Sequence, residues 1–457
     1  MKADESTPTI DVAAIIESRP LGWYAARVVL ACALVMFFDG YDNNVIAFAG
    51  PYLAPAYHLD KVMLSYLFSA ANLGTLCGGF LFGPIGDRIG RRGAILLATA
   101  SFGILTLALS LATNYWQFMA LRFVNGIALG GAIPLIWALG TEYAATRYRA
   151  TIVTLIMLGY GIGVSAAGPL SVVLIPRFGY LSVFGFGGAA TLVATLVLLR
   201  ALPESLRFLA TSGRRPDLLA RAVRRLAPER AVPRNAHFVL TDEGRSEGGV
   251  LHVAALFSGQ LRRITPLLWA AYLVSSMTTF FLTNWGPIVY EGLGFSRDAA
   301  AWVTSSNSIA GSLGGLALMR FTDRVGVGSI AVFPAIAVPL LLLAGFAHVT
   351  QPVFIVLLIT LSVFLAGSHF GITSITGIFY PTAHRALGTG CASSMGKIGS
   401  VAGPIIGGFI LSSRLPLQHT FAVMAVCPAI FCACMIALGT LQRSAGRATA
   451  PAVAPSL

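Results

Sequence analysis

Two carboxylates and two amides lie in the middle of the first long apolar segment of the chain. Asp39 and Asp42 are followed by Asn43 and Asn44, inside an apolar run that spans about residues 24–49. A carboxylate at the centre of a membrane costs roughly 2.5–3.5 kcal/mol. Such a residue therefore serves a function, pairs with a cation or carries a proton. The pair predicts proton chemistry inside a membrane, with a structural helix cap or a satisfied polar cluster as the alternative.

Two cations lie within later apolar segments. Arg122 lies in the fourth segment, and Lys397 lies in the eleventh between Gly396 and Gly399. A carboxylate near an arginine in a low-dielectric site experiences opposing influences on its protonation, which is what proton coupling requires. We expect Arg122 to act with the two acids and Lys397 to bind an anion; the structural alternatives are a helix-packing partner for Arg122 and a snorkelling lysine.

Uncharged side chains complete the set of candidates for substrate contact. His369 lies in the tenth apolar segment and is either a direct contact or a packed polar residue. Aromatic rings could stack on an aromatic substrate or serve only in packing; those in apolar segments include Tyr160, Trp285, Trp302 and Tyr380.

The chain that positions these residues is too apolar for a soluble protein, since 56% of its 457 residues are hydrophobic and 11% are charged. Twelve apolar runs near the length of a membrane-spanning helix are present. Their approximate bounds are 24–49, 62–82, 93–112, 115–139, 150–175, 180–200, 265–289, 299–319, 329–347, 352–376, 387–412 and 418–441. Helix-length runs exclude an outer-membrane barrel. We predict an all-α protein with twelve transmembrane helices.

The net charge of +13 indicates an orientation in the membrane and not nucleic-acid binding. Most lysines and arginines fall in the segments that share a side with the N-terminus. The outer loops hold Lys61, Arg177, Arg297 and Arg414. The positive-inside rule then places both termini in the cytoplasm. Acidic residues precede the first helix, so we expect no cleavable signal peptide. The six cysteines lie in apolar helices without disulfide or zinc spacing, and no metal or cofactor is expected.

The second half of the chain repeats the first. Asp87-Arg88-Ile89-Gly90 recurs as Asp323-Arg324-Val325-Gly326, 236 residues later. Two shorter matches follow at nearly the same offset: Arg149-Ala150 with Arg385-Ala386, and Gly168-Pro169 with Gly403-Pro404. A parallel repeat of six helices is typical of transporters that bind substrate near mid-membrane between the halves. We predict a tail (1–23), a six-helix bundle (24–200), a cytoplasmic linker (201–263), a second bundle (264–441) and a C-terminal tail (442–457).

The repeat also shows where the halves differ. Asp39 and Asp42 correspond to Ser275 and Thr278, and Arg122 corresponds to Leu358. The acids and the arginine thus belong to the first half, and Lys397 to the second. Asp39 lies roughly 22 Å into its helix at 1.5 Å per residue, and Asp42 lies one turn further out. Because the fourth helix enters from the outer side, we predict that Asp42 meets Arg122 and that Asp39 lies nearer the centre.

Two motifs resemble those of the major facilitator superfamily. Residues Gly83–Arg92 match G-x-x-x-D-R-x-G-R-R, the signature between the second and third helices. Arg122 begins an R-x-x-x-G-x-x-x-G pattern on the fourth helix. The resemblance implies conformational gating at the inner loops. The residues concerned are Gly83, Asp87, Arg88, Arg91, Glu142, Asp323, Arg324 and Arg385.

Further motifs narrow the resemblance to the aromatic acid:proton symporter family. Its D-G-[FY]-D helix is similar to Asp39–Asp42, and its L-P-E-S run is similar to Leu202–Ser205. The resemblance covers residues 10–440 and implies proton-coupled uptake of aromatic carboxylates, with Asp39, Asp42 and Arg122 needed for transport. Lys397 departs from the arginine usual in the family and cannot bind a carboxylate in the same bidentate way. Asn43 and Asn44 add hydrogen-bonding capacity suited to a more hydroxylated or non-aromatic acid.

The sequence therefore predicts a secondary active transporter and no enzyme, because no nucleophile–base constellation or cofactor loop is present. We expect a monomer in the cytoplasmic (inner) membrane that imports a small aromatic carboxylate by alternating access, driven by the proton gradient. One alternative is uptake of another organic anion, such as a dicarboxylate or sugar acid. Another is a drug:proton antiporter, whose G-P-x-x-G-G ending on the fifth helix is absent here but occurs at Gly403–Gly408 in the eleventh.

Overall fold

The computed structural model describes residues 9–18, 22–212, 216–226, 237–239, 253–325, 327–347, 349–381 and 384–449. Long helices dominate it, because a helix satisfies its backbone hydrogen bonds internally where water is excluded. We label the long helices in chain order as α1 (Trp23–Ala56), α2 (Lys61–Ile89), α3 (Arg91–Leu109), α4 (Tyr115–Glu142), α5 (Arg149–Phe178), α6 (Ser182–Ala201), α7 (Leu261–Gly292), α8 (Arg297–Val325), α9 (Val332–Phe346), α10 (Gln351–Phe379), α11 (Arg385–Ser412) and α12 (Val426–Thr449).

Eleven helices in the described part of the chain are long and apolar enough to cross a membrane. The remaining long helix, α8, has 29 residues but carries a polar run from Thr304 to Ser308. It packs along α10, and its length exceeds the roughly 20 residues that span a bilayer. The predicted all-helical membrane fold is confirmed.

The C-terminal end of α1 differs from the prediction. The first apolar run was predicted to end near residue 49, whereas α1 continues through Pro51 and Pro55 to Ala56. Two residues after this end, His58 has a left-handed φ of 53°, and the amide of Leu59 donates back to the carbonyl of Ala54. This left-handed closure is a common way to end a helix, so the turn into α2 is only a few residues long.

Glycines at repeat-related positions bring helix pairs into backbone contact. At Gly163 on α5, an added Cβ would overlap the carbonyl oxygen of Phe37 on α1. At Gly399 on α11, 236 residues later, it would overlap the carbonyl oxygen of Leu273 on α7. The same offset relates the contacts of Gly78 with Ile127 and of Gly314 with Val363. The repeat inferred from sequence is therefore present in the helix packing.

The chain forms two compact units. The first contains Met1–Val45, Gly74–Ala167 and Leu174–Gly249; the second contains Ile46–Leu73, Gly168–Val173 and Val250–Leu457. The outer ends of α1 and α2 and a short part of α5 therefore belong to the same unit as α7–α12. The division by repeat at 24–200 and 264–441 stays a prediction.

The N-terminal tail folds onto the linker within the first unit. Strand β1 (Thr9–Asp11) pairs in parallel with β2 (His237–Val239). The short helix Val12–Glu17 follows. Its residues Val12 and Ile15 are buried in a cluster that includes the apolar face of the linker helix Pro216–Leu226.

Glu17 ties this tail to the loop between α4 and α5. Its carboxylate accepts hydrogen bonds from the backbone amide (2.9 Å) and the hydroxyl (3.0 Å) of Thr146. These bonds, the backbone one foremost, hold the pKa of Glu17 below its ordinary value. Residues 9–18 are thus a folded part of the first unit.

Candidate functional site

Asp42 on α1 and Arg122 on α4 form a buried ion pair. The Nη1 atom of Arg122 lies 2.7 Å from Oδ2 of Asp42, and each side chain is 1% exposed. Nη1 also lies 3.5 Å from the main-chain oxygen of Asp42. An unpaired charge at this position would be very costly, so each group depends on the other. The contact predicted from helix depth is confirmed.

Two neutral residues extend the pair into a network. The amide nitrogen of Asn125 lies 3.5 Å from Oδ2 of Asp42 and 3.2 Å from the hydroxyl of Thr106 on α3. Asn125 and Thr106 are themselves buried. Sequence reasoning missed both residues. The available signal was the position of Asn125 one turn after Arg122, on the same face of α4.

The rest of the acidic segment is fastened to neighbouring helices. A Cβ at Gly40 would overlap the carbonyl oxygen of Tyr160 on α5, so glycine permits close approach there. The hydroxyl of Tyr41 donates to the carbonyl of Val183 on α6 (2.8 Å). The amide of Asn44 donates to the carbonyl of Val164 on α5 (2.8 Å). Each of these residues thus orients α1 so that Asp42 faces α4.

Asp39 has a different environment one turn away. It is 4% exposed, and the amide nitrogen of Asn43 donates to its Oδ1 (2.8 Å) and to its main-chain oxygen (3.1 Å). A neutral amide stabilises a carboxylate less than a guanidinium does. Asp39 thus accepts a hydrogen bond from a neutral amide, whereas Asp42 contacts a guanidinium.

The polar candidates of the second unit lie on α7, α10 and α11. His369 Nδ1 and the hydroxyl of Ser275 are 2.7 Å apart, so the repeat counterpart of Asp39 pairs with the imidazole of His369. Lys397 is half-buried on α11, and the hydroxyl of Ser400 donates to its main-chain oxygen. Trp285 is fully buried, and its indole N–H donates to the carbonyl of Pro404 (2.9 Å). This bond favours the packing interpretation of Trp285.

A second charge network lies where α3 begins and α4 ends. Arg91 forms an ion pair with Glu142. The hydroxyl of Ser205 donates to Oε2 of Glu142 (2.6 Å) and accepts from the amide of Phe208 (3.0 Å), which caps the short helix Leu206–Ser212. The L-P-E-S run is thus a structural partner of Glu142, a role that its sequence alone did not indicate.

Glu204 closes the turn between α2 and α3. Its Oε1 accepts the backbone amide of Arg92 (3.0 Å). Gly90 has a φ of 92°, and a Cβ there would collide with the Glu204 carboxylate. Gly83, in contrast, has no atom of the described residues within 4 Å of an added Cβ, so no close approach requires a glycine there, and its gating role stays a prediction.

The remaining gating candidates are less informative. Asp87 and Arg88 lie near the end of α2, and Arg385 is exposed at the first residue of α11. Asp323 and Arg324 lie at the end of α8, and their side chains are outside the described part of the structure. Their gating roles stay predictions.

Gly90→Ala is expected to destabilise the protein, because a residue with a Cβ is strained at positive φ and would displace Glu204. The expected loss is about 1–2 kcal/mol of unfolding free energy. Gly83→Ala is the matched control, and helix propensity alone predicts a gain of about 0.5–1 kcal/mol. Thermal unfolding of the two purified variants in detergent measures the difference; equal stabilities would contradict the assigned role of Gly90.

These features define a class. A helical membrane protein with an internal six-helix repeat and buried charges on its helices is a secondary transporter by architecture. The sequence model of the Major Facilitator Superfamily matches residues 32–296 and 268–455. The chain belongs to that superfamily, and its relatives confirm the predicted membership of the aromatic acid:proton symporter family.

Known relatives cover almost the full chain. It is 31% identical to the 4-hydroxybenzoate transporter PcaK of Pseudomonas aeruginosa over 441 residues, 95% of this chain and 97% of the relative. It is 30% identical to a gallate transporter of Pseudomonas putida, covering 91% and 92% of the two chains. Among solved structures, the xylose transporter XylE from E. coli in a partially occluded inward-open conformation has a TM-score of 0.68 at 16% identity, covering 91% of this chain and 97% of that one. The likeness to XylE shows the fold alone.

Proposed function

We propose that this protein is a proton symporter that imports a small aromatic carboxylate across the cytoplasmic membrane, with both termini in the cytoplasm. The observation that carries the proposal is the buried Asp42–Arg122 pair with Asp39 one turn away. The relatives named for 4-hydroxybenzoate and gallate transport support the substrate class. The asymmetry of lysines and arginines supports the orientation.

Each polar group then has a task. Asp39 takes a proton, since a buried carboxylate in a membrane helix is a typical proton carrier and it lies one turn from the Asp42–Arg122 pair. Asp42 and Arg122 hold α1 against α4 and respond to the protonation of Asp39 one turn away. Lys397 attracts the substrate carboxylate, and the Ser275–His369 pair binds a ring hydroxyl.

Uptake of labelled 4-hydroxybenzoate by cells that express the protein tests this proposal. Accumulation is expected to rise when the outside is acidified and to collapse when an uncoupler is added. Cells without the protein control for passive entry of the neutral acid. Accumulation that persists with the uncoupler would contradict proton symport.

The substrate class needs a separate experiment. A thermal-shift panel on the purified protein compares benzoate, 4-hydroxybenzoate and gallate with succinate and glucuronate. We expect stabilisation by the aromatic acids, since a ligand that binds only the folded protein raises its unfolding temperature. Stabilisation by succinate or glucuronate alone would instead support transport of a non-aromatic anion.

A further inference from the structure

Side chains of α2 donate hydrogen bonds to main-chain oxygens of α11, within the second unit. Asn72 bonds the carbonyl of Ser400 (3.3 Å), and Ser69 bonds that of Val401 (2.8 Å). Nearer the outer end, Nζ of Lys61 lies 2.6 Å from the carbonyl oxygen of Leu411. The helices are antiparallel, so the three bonds form a ladder along one line of contact.

Two of these acceptors are carbonyls that α11 cannot satisfy by itself. Pro404 has no N–H, so the carbonyl of Ser400, four residues earlier, lacks its helical donor. Leu411 lies in the last turn of α11, which ends at Ser412, and carbonyls there have no donor within the helix. A bare carbonyl in an apolar environment costs several kcal/mol. Asn72 and Lys61 therefore supply partners that α11 needs.

Glycine and tryptophan residues fit the helices together around the ladder. A Cβ at Gly408 would lie 2.6 Å from the Cβ of Ser65 and 2.9 Å from the carbonyl oxygen of Lys61. Ser65 is 0% exposed in this contact. The Trp285 ring packs edge-on against Phe68 of α2 at 5.2 Å between centroids. The two helices are thus closely packed at Ser65, between Lys61 and Ser69.

The internal repeat gives Lys61 a counterpart. Arg297 lies 236 residues later, at the first position of α8. Its guanidinium lies 4.5 Å from the ring centre of Tyr52 on α1 and forms an ion pair with Glu291 (3.2 Å). The equivalent helices α2 and α8 therefore each begin with a cation that contacts another helix. Of these two cations, Lys61 is the one that bonds a main-chain oxygen at the end of a helix.

We propose that Lys61 is a removable cap on α11, and that with Ser69 and Asn72 it keeps the outer ends of α2 and α11 together until the transporter opens outward. Lys61 is exposed, so water can replace its bond to Leu411 at little cost. Asn72 and Ser400 are buried, so their bond is released only after water enters. Opening therefore begins at Lys61 and proceeds inward. Lys61 is a positioning residue and does not contact the substrate.

The test measures access to the ladder from outside. Ser65→Cys places a thiol at a buried position between Lys61 and Ser69, and a membrane-impermeant maleimide reports its exposure in intact cells without substrate. In this background, Lys61→Met is expected to speed labelling about two- to fivefold. This is the factor by which the equilibrium between closed and open states should change when a favourable charge at a helix terminus is lost. Lys61→Arg should restore slow labelling, because it keeps the charge and the donors.

Arg414→Met is the matched control, since it removes an exposed outer cation just beyond the same helix end. It should leave labelling slow. The wild type without Ser65→Cys measures the background labelling of the native cysteines. The proposal is overturned if Lys61→Met does not label faster than Ser65→Cys alone, or if Arg414→Met labels as fast as Lys61→Met in the same background.

Transport gives a second readout, which rests on the proposed function. Lys61→Met favours the outward-open state, so the apparent KM for external 4-hydroxybenzoate should fall by the same factor as labelling rises. An unchanged KM with faster labelling would contradict the part of the proposal that links the cap to transport. Because labelling needs neither substrate nor a proton gradient, failure of the symport assignment leaves the test of the cap intact.

Discussion

Arg122→Leu is expected to abolish accumulation of substrate and to lower the free energy of unfolding by about 3–5 kcal/mol, because it leaves the Asp42 carboxylate buried without its cation. Adding Asp42→Asn is expected to return most of that stability, since a neutral amide no longer requires a charge partner. Asn125 and Thr106 remain as polar neighbours of the new amide. Transport should stay absent in the double variant.

The measurements are thermal unfolding in detergent and uptake in cells, for the wild type, both single variants and the double variant. The two single changes should each destabilise more than the double change does. If the double variant is as unstable as Arg122→Leu alone, the loss comes from packing and not from the unpaired charge. Uptake by the double variant would show that the ion pair is dispensable.

Asp39→Asn is expected to abolish accumulation against a gradient while exchange of labelled for unlabelled substrate continues. An amide resembles a permanently protonated carboxyl group, so the carrier can bind and reorient with substrate but cannot release a proton. The stability change should stay within about 1 kcal/mol, as for a neutral hydrogen bond, because the Asn43 amide can still donate to the new side-chain oxygen. Counterflow in proteoliposomes measures the exchange.

Asn43→Ala is the control for Asp39→Asn. It removes the amide that donates to Asp39 but keeps the acid, so accumulation against a gradient should persist. Normal accumulation by Asp39→Asn would rule out Asp39 as the proton carrier.

Sequence reasoning predicted the helices and the Asp42–Arg122 contact because both follow from regular geometry. Helix length and rise fix depth, and depth places Asp42 and Arg122 at the same level. The repeat offset of 236 residues predicted equivalent positions, which the contacts of Gly163 and Gly399 share. Such inferences need no knowledge of side-chain conformation.

Other contacts could not be predicted because they depend on partners distant in sequence. Ser205 meets Glu142 across the inner ends of two helices, and Lys61 meets the far end of α11. The extension of α1 past Pro51 was also missed, since proline in a sequence usually suggests a helix end. Near a membrane surface, neighbouring groups can satisfy the backbone that proline leaves open.

The pairing of β1 with β2 has a consequence for biosynthesis. Residues 9–11 are synthesised before α1, but the strand that they pair with is synthesised only after α1–α6. At roughly 5–20 residues per second, the N-terminal segment waits on the order of tens of seconds for its partner. Translation of His237–Val239 therefore marks the moment at which this strand pair can form beside the first six helices, before α7 is synthesised.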